Sequence, residues 1–182
     1  RFSYSRPYTG KVKQVRVKRS HLNEWYIYVI TDASPKSYTK THDGASVGID
    51  FGLKTYMTFS DGEKLSHPQF LKRDIKRLKR ISCRHSRCVK GSHHREQSRL
   101  ALCRFHEYVS DKRRDFQWKL AHDLCRRFDT IFIEDLSLNG MSRLWGRKMS
   151  DLGHSLFCNI LDQVAAKYGC TVHRINRWFP SS

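Results

Sequence analysis

Val47-Gly48-Ile49-Asp50-Phe51-Gly52 and Thr130-Ile131-Phe132-Ile133-Glu134 are the two stretches that decide how this chain is read. Each holds a short run of β-branched and aromatic residues and delivers one carboxylate, the pattern of a buried strand with an acid at its end. Side chains alternate along a strand, so Asp50 projects opposite to Val47 and Ile49, and Glu134 opposite to Ile131 and Ile133. If the strands are neighbours, both acids emerge at one sheet edge within reach of a shared cation. Mg²⁺ takes hard oxygen ligands, commonly one or two carboxylates plus substrate phosphates. Two such ions about 4 Å apart activate a water and stabilise the leaving oxygen of a phosphodiester. Each acid alone also has a plainer reading: an Asp close to a Gly serves turn chemistry, and a Glu ending an apolar run is simply solvated. Asp135 should point away from Glu134 if the strand persists, and reads as support or a helix cap.

Outward from these strands, Thr55 to Ser60 is a second strand, and Asp61-Gly62 turns into a third around Lys64 and Leu65. Beyond Pro68 the period changes. Leu71, Ile75 and Leu78, then Phe116, Leu120, Leu124 and Phe128, predict two long helices over 69–88 and 95–128, folded back around Lys90-Gly91-Ser92. Leu152, Leu156, Ile160 and Val164 mark a further helix ending near Gly169, and Cys170 to Ile175 is a last strand. Upstream, residues 11–18 and 24–31 predict two antiparallel strands, with Asp32 to Ala45 as a polar linker. The domain division is therefore 1–45 and 46–182.

Charge names the partner class. Lys and Arg number 35 against 17 acids, a net charge of +18 that favours a polyanion. Residues 71–128 carry 18 Lys+Arg and 6 Asp+Glu, so +12 of that charge sits in the helical hairpin, well beyond an ordinary solvated face. The candidate nucleic-acid contacts are Lys54, Lys76, Arg77, Lys79, Arg80, Arg84, Lys90, Arg95, Arg113 and Arg114. Phe105, Tyr108, Phe116 and Trp118 could stack on bases, but at helical spacing packing is the better reading. No segment approaches the roughly 18 apolar residues of a spanning helix, and Arg1 to Lys18 holds no apolar signal-peptide core. The six cysteines form no C-x-x-C pair and read as reduced thiols. Cys83 and Cys88 with His85, His93 and His94 depart from structural zinc spacing and read as a basic hairpin tip.

The segment Val47-Gly48-Ile49-Asp50-Phe51-Gly52-Leu53-Lys54, followed by Phe59-Ser60-Asp61-Gly62, resembles the first RuvC motif of TnpB, the transposon-associated RNA-guided nuclease also called OrfB. Lys90-Gly91-Ser92 and Arg113-Arg114-Asp115-Phe116 resemble that family's helical hairpin. Ile133-Glu134-Asp135-Leu136-Ser137-Leu138-Asn139-Gly140-Met141 resembles the second RuvC motif, and Arg177-Trp178-Phe179-Pro180-Ser181-Ser182 the segment before the family's zinc ribbon. The resemblance runs from about residue 44 onward. It implies an α/β, RNase H-like (RuvC) mixed sheet with a long inserted helical hairpin, preceded by a β-strand remnant of a wedge-type barrel.

The same resemblance implies Mg²⁺-dependent (or Mn²⁺-dependent) cleavage of target DNA chosen by a guide RNA from the transposon end, in a prokaryotic cytoplasm at the nucleoid, with no membrane partner. Base pairing would then read sequence while protein reads shape. Asp50 matches the first catalytic acid and Glu134 the second. The family's zinc ligands and third catalytic Asp have no counterpart in these residues, so the chain is expected to be an internal fragment, inactive or nearly so alone. The alternatives are a catalytically dead nucleic-acid-binding derivative regulating the transposon, and a guide-independent RuvC-like resolvase or transposase.

Overall fold

The computed structural model describes residues 3, 7–34, 38–40, 44–52, 54–136, 146 and 152–176. Leu53, the 137–141 part of the second motif and residues 177–182 lie outside the described residues. The elements are β1 (Val12–Arg19), β2 (Trp25–Thr31), β3 (Ser46–Phe51), β4 (Thr55–Phe59), β5 (Lys64–Ser66), α1 (Phe70–Arg87), α2 (His93–Arg127), β6 (Thr130–Glu134), α3 (His154–Tyr168) and β7 (Thr171–Ile175). Contacts divide the chain into two compact units, Arg1–Lys36 with Leu78–Glu107, and Ser37–Arg77 with Tyr108–Ser182.

In the second unit, β3, β4 and β5 form an antiparallel meander because short turns join them, Gly62 adopting φ +89° in the second. The helical hairpin then carries the chain away and returns it so that β6 pairs with β3 in parallel. α3 makes the same kind of crossover to β7, which is parallel to β6. The resulting order, β5-β4-β3-β6-β7, is the RNase H-like mixed sheet.

One face of this sheet is packed. Val47, Ile49 and Phe51 of β3, Met57 and Phe59 of β4, and Ile131 and Ile133 of β6 are buried in one cluster. Ala121, Leu124 and Cys125 of α2 and Phe157, Ile160, Leu161 and Val164 of α3 belong to the same cluster. Each large side chain so buried contributes about 1.5–3 kcal/mol relative to exposure. The strict alternation along β3 and β6 leaves Gly48, Asp50, Phe132 and Glu134 on the opposite face.

Element ends differ from the sequence expectation by one or two residues, each for a local reason. α2 starts at His93 because Ser92 caps it, its Oγ accepting the Arg95 N–H at 3.2 Å. β7 starts at Thr171 because the Cys170 N–H closes the end of α3, donating to the Ala165 carbonyl at 2.9 Å beyond left-handed Gly169. The predicted linker is pinned where it is described: Lys40 Nζ and the Gly44 N–H both donate to the Asp129 carboxylate, and Tyr38 stacks on Tyr168 at 5.1 Å. Those two donors hold the Asp129 carboxyl below its ordinary pKa.

The first unit, taken alone, holds a two-stranded antiparallel ribbon and the outer ends of the two long helices. The ribbon turns at Ser20 to Glu24, where Asn23 takes φ +64° and Ser20 Oγ accepts the N–H groups of Leu22 and Glu24, both at 3.1 Å. Arg95, at the hairpin tip, donates to the Cys88 carbonyl at 3.0 Å and satisfies the last turn of α1.

Candidate active site

The pairing of β3 with β6 puts Val47 beside Ile131 and Ile49 beside Ile133. Asp50 and Glu134 are each the next residue, so the two carboxylates leave neighbouring parallel strands at the same register position, on the same face. Adjacent strands are about 4.8 Å apart, which is the spacing at which two carboxylates can share one hard cation. Asp50 is exposed and Glu134 half-buried. Across the sheet the same row continues through Thr58 of β4 on one side and Ile175 of β7 on the other. One step earlier, Gly48 pairs with Phe132, and Phe132 stacks on His173 at 5.2 Å.

The glycines flanking Asp50 have separate reasons. A Cβ on Gly52 would lie 2.7 Å from the Thr55 carbonyl oxygen, so the tight β3–β4 turn requires glycine there. A Cβ on Gly48 would meet only the Ser60 side chain, its Cβ at 3.6 Å and its Oγ at 3.9 Å, ordinary contact; the Gly48 N–H donates to Ser60 Oγ at 3.0 Å.

A cavity of about 150 Å³ opens at the end of β6, lined by Glu134, Asp135, His154, Cys158, Asn159 and Arg174 among others. The Asp135 N–H donates to the Ile175 carbonyl at 2.9 Å, so strand pairing persists past Glu134. Alternation then turns Asp135 toward α3, where its charge acts on His154 and Cys158. His154 is 6% exposed, with its ring 4.6 Å from Phe51 and its nitrogens 3.7 and 3.8 Å from Cys158 Sγ. Burial lowers the His154 pKa and raises that of the Cys158 thiol to about 11, so both are neutral near pH 7. Arg174 donates to Asp162 of α3 at 2.5 Å. Sequence reasoning did not single out Asn159 and Arg174, which line the cavity on the α3 side, because their local spacing carries no signal for it.

The cationic candidates divide by burial. Lys76, Arg77, Lys79, Arg80 and Arg84 are exposed along α1, joined there by Lys72, Arg73 and Arg87, which their helical spacing would have added. Asp74 is the one acid of α1, and it is half-buried and paired with Lys112 at 3.4 Å. Lys54 and Lys90 are exposed, and Arg114 is exposed beside Asp111 at 3.7 Å. Arg95 and Arg113 are half-buried. Arg113 runs its stem so close to Gly153 that a Cβ there would lie 2.7 Å from Arg113 Cδ. Its charge reversal would therefore disturb packing as well as binding.

Of the aromatics, Phe105 is buried and Phe116 packs on the core, whereas Tyr108 is exposed with Lys112 Nζ 4.2 Å above its ring. All six cysteines are free thiols. Among the described residues no three His, Cys, Asp or Glu side chains are grouped to hold a metal ion. No helix of the described residues is long and apolar enough to cross a membrane.

A family model, OrfB_IS605, described as a probable transposase, matches residues 27–144, which include both acids. The chain belongs to this family. A relative from Streptomyces pristinaespiralis, named "Putative RNA-guided DNA endonuclease", is 33% identical over all of this chain and 45% of its own length. One from Escherichia coli K12 with the same descriptor in its name is 31% identical over 86% of this chain and 38% of its own length. The chain thus spans less than half of either relative. Among solved structures, a chain of the Cas12f1-sgRNA-target DNA complex superposes with a TM-score of 0.57 at 17% identity, covering 89% of this chain and 35% of its own. That likeness concerns the fold.

Proposed function

We propose that this chain is the RuvC-like core of an RNA-guided, Mg²⁺-dependent DNA endonuclease of a transposon, with Asp50 and Glu134 as the metal-holding catalytic acids. The observation that carries the reading is the in-register parallel pairing of β3 with β6, which sets two carboxylates side by side on the face that the helices leave uncovered. The donor set fits a hard cation: two carboxylates with oxygen donors and no soft ligand beside them in their row. Bound there, Mg²⁺ or Mn²⁺ would supply charge neutralisation at the phosphate and a lowered pKa for water.

The chain's own residues do the rest. Asp50 and Glu134 fix the ion. The exposed cations of α1, with Lys54, Lys90 and Arg114, hold the backbone of target DNA or guide RNA. Guide RNA pairs with the target and selects it, a division of labour that the relatives' names support. The site of action would be the nucleoid of a prokaryotic cytoplasm.

Calorimetric titration of Mg²⁺ or Mn²⁺ into wild type, Asp50→Ala and Glu134→Ala tests the site. The expected result is binding to wild type that either substitution abolishes. Wild-type binding that survives both substitutions refutes the assignment. Nucleic-acid affinity that is unchanged in Asp50→Ala while no metal binds would leave a binding derivative instead of a nuclease. Log affinity for nucleic acid should also fall steeply with log salt concentration, since phosphate contacts dominate.

A further inference from the structure

We infer that Lys64 is a substrate-binding residue: on the sheet face that carries Asp50 and Glu134, it takes a phosphate of the nucleic-acid backbone. This rests on the two-acid reading above. Strand register places the residue. Lys64 of β5 pairs with Thr58 of β4, and Thr58 pairs with Asp50 of β3. Directly paired residues share a face, so Lys64 stands in the cross-strand row of the two acids, two strand spacings or about 10 Å from Asp50. Burial agrees with that parity. The next residue, Leu65, pairs with buried Met57 and packs against the helix-covered core, so alternation turns Lys64 to the uncovered face. Lys64 is exposed there.

The ground between Lys64 and the acids is small and polar. Thr58 alone separates Lys64 from Asp50 in their row, and the next row brings Ser60 and Gly48. A Cβ on Gly48 would meet nothing but the Ser60 side chain within 4 Å, so a polymer backbone can lie close on β3 and β4. A packed protein segment would need an apolar floor, which these residues do not offer. Lys64 is the one Lys or Arg in the row of the acids, and among the described residues no carboxylate pairs with it. Its neighbour Glu63 is taken by Arg127 at 2.7 Å. The three ammonium donors are therefore free for phosphate oxygens, and the four-carbon stem lets them reach over Thr58. A cation on the two acids holds one phosphate, and Lys64 is placed to hold another of the same backbone where it crosses toward β5.

The test uses the full chain, Mn²⁺, and a phosphorothioate DNA oligonucleotide offered both as a single strand and as a duplex. Wild type is compared with Lys64→Gln, Lys64→Arg and Lys119→Gln, the last an exposed cation of α2 paired with Asp115. Asp50→Ala is compared with Asp50→Ala carrying Lys64→Gln. The readout is the slope of log affinity against log salt concentration, by fluorescence anisotropy with Mn²⁺ present, alongside Mn²⁺ affinity by calorimetry and melting temperature. The expected result is that Lys64→Gln makes the slope shallower by one phosphate contact, about 0.9 on the duplex or about 0.7 on the single strand. Mn²⁺ affinity should not fall, and melting temperature should hold. Lys64→Arg and Lys119→Gln should keep the wild-type slope, and Lys64→Gln should change nothing further in Asp50→Ala. An equal drop in the Asp50→Ala background would make Lys64 part of a general basic surface and overturn the proposal. A wild-type slope in Lys64→Gln on both probes, with Mn²⁺ bound, overturns the role of Lys64 alone. Absence of Mn²⁺ binding in wild type overturns the two-acid reading, and this proposal with it.

Discussion

The β1–β2 ribbon and the β3–β6 pair are built from the same kinds of residue and meet opposite fates. Val15 and Val17 are 54% and 61% exposed, whereas Val47 and Ile49 are 2% and 4% exposed. Trp25, Tyr26, Ile27 and Tyr28 of the ribbon are exposed as well. The difference is helix cover. β3 and β6 carry their apolar residues on one face, and α2 and α3 fill that face. Among the described residues nothing buries either face of the ribbon. β-forming composition thus makes a strand in both places, but only a partner layer makes a core.

That contrast can be broken most forcefully by truncating both regions alike. Ile131→Ala or Leu161→Ala should lower stability by about 2–5 kcal/mol in urea unfolding, whereas Val17→Ala should stay within about 0.5 kcal/mol. Equal effects would erase the distinction between the regions.

A smaller effect sharpens it. Gln117 is fully buried, and its Nε2 lies 3.0 Å from the Gly153 carbonyl oxygen and 3.2 Å from Tyr56 Oη. Burial pushes the Tyr56 phenol up to about 12, so it stays protonated and available as a hydrogen-bond partner. Gln117→Leu strands those polar groups inside the packed unit and should cost about 1–3 kcal/mol by the same measurement. A neutral outcome would mean that the helix cover of the sheet tolerates unpaired groups.

Smaller still is the effect of the two acids on the metal-free chain. Like charges on neighbouring strands repel, so Asp50→Asn should raise metal-free stability by about 0.2–1 kcal/mol. The same variant should lose the melting-temperature rise that Mn²⁺ gives wild type, since binding to the native state alone stabilises it. A metal-free loss of stability in Asp50→Asn would mean that the carboxylate is a structural group of the open face.

The weakest expected effect is on pH. Burial holds His122 and His154 below the ordinary histidine pKa, so the unfolded chain takes up protons first as pH falls below about 6.5. Stability should therefore decline through that window and recover on raising the pH. His154→Gln should flatten the decline more than His122→Gln, because His154 is the more deeply buried. An unchanged slope in both variants would show that these histidines titrate alike in folded and unfolded chains.

How much of this was readable from the chain follows from the range of the forces involved. Asp50 and Glu134 were legible because a period of two residues is a local property, and an acid among β-branched neighbours has only one face to occupy. The basic charge of α1 was legible for the same reason, since helical spacing alone puts Lys76, Arg80 and Arg84 on one stripe. Arg95 and Arg113 show the limit. In sequence they match their exposed neighbours, yet one caps the end of another helix and the other lays its stem on Gly153. Gly52 is a turn requirement that only the approach of the Thr55 carbonyl reveals.

By itself, then, the amino-acid sequence determined the elements, the family and the strand-end positions of Asp50 and Glu134, because periodicity, turn chemistry and charge act over a few residues. Only the tertiary structure decided that β3 and β6 are parallel neighbours in register, that Asp135 faces α3, and that Arg174 shares a cavity with Glu134. Those facts depend on crossovers that bring together residues some 40 to 85 positions apart, and pairing over such distances is set by the packed core as a whole.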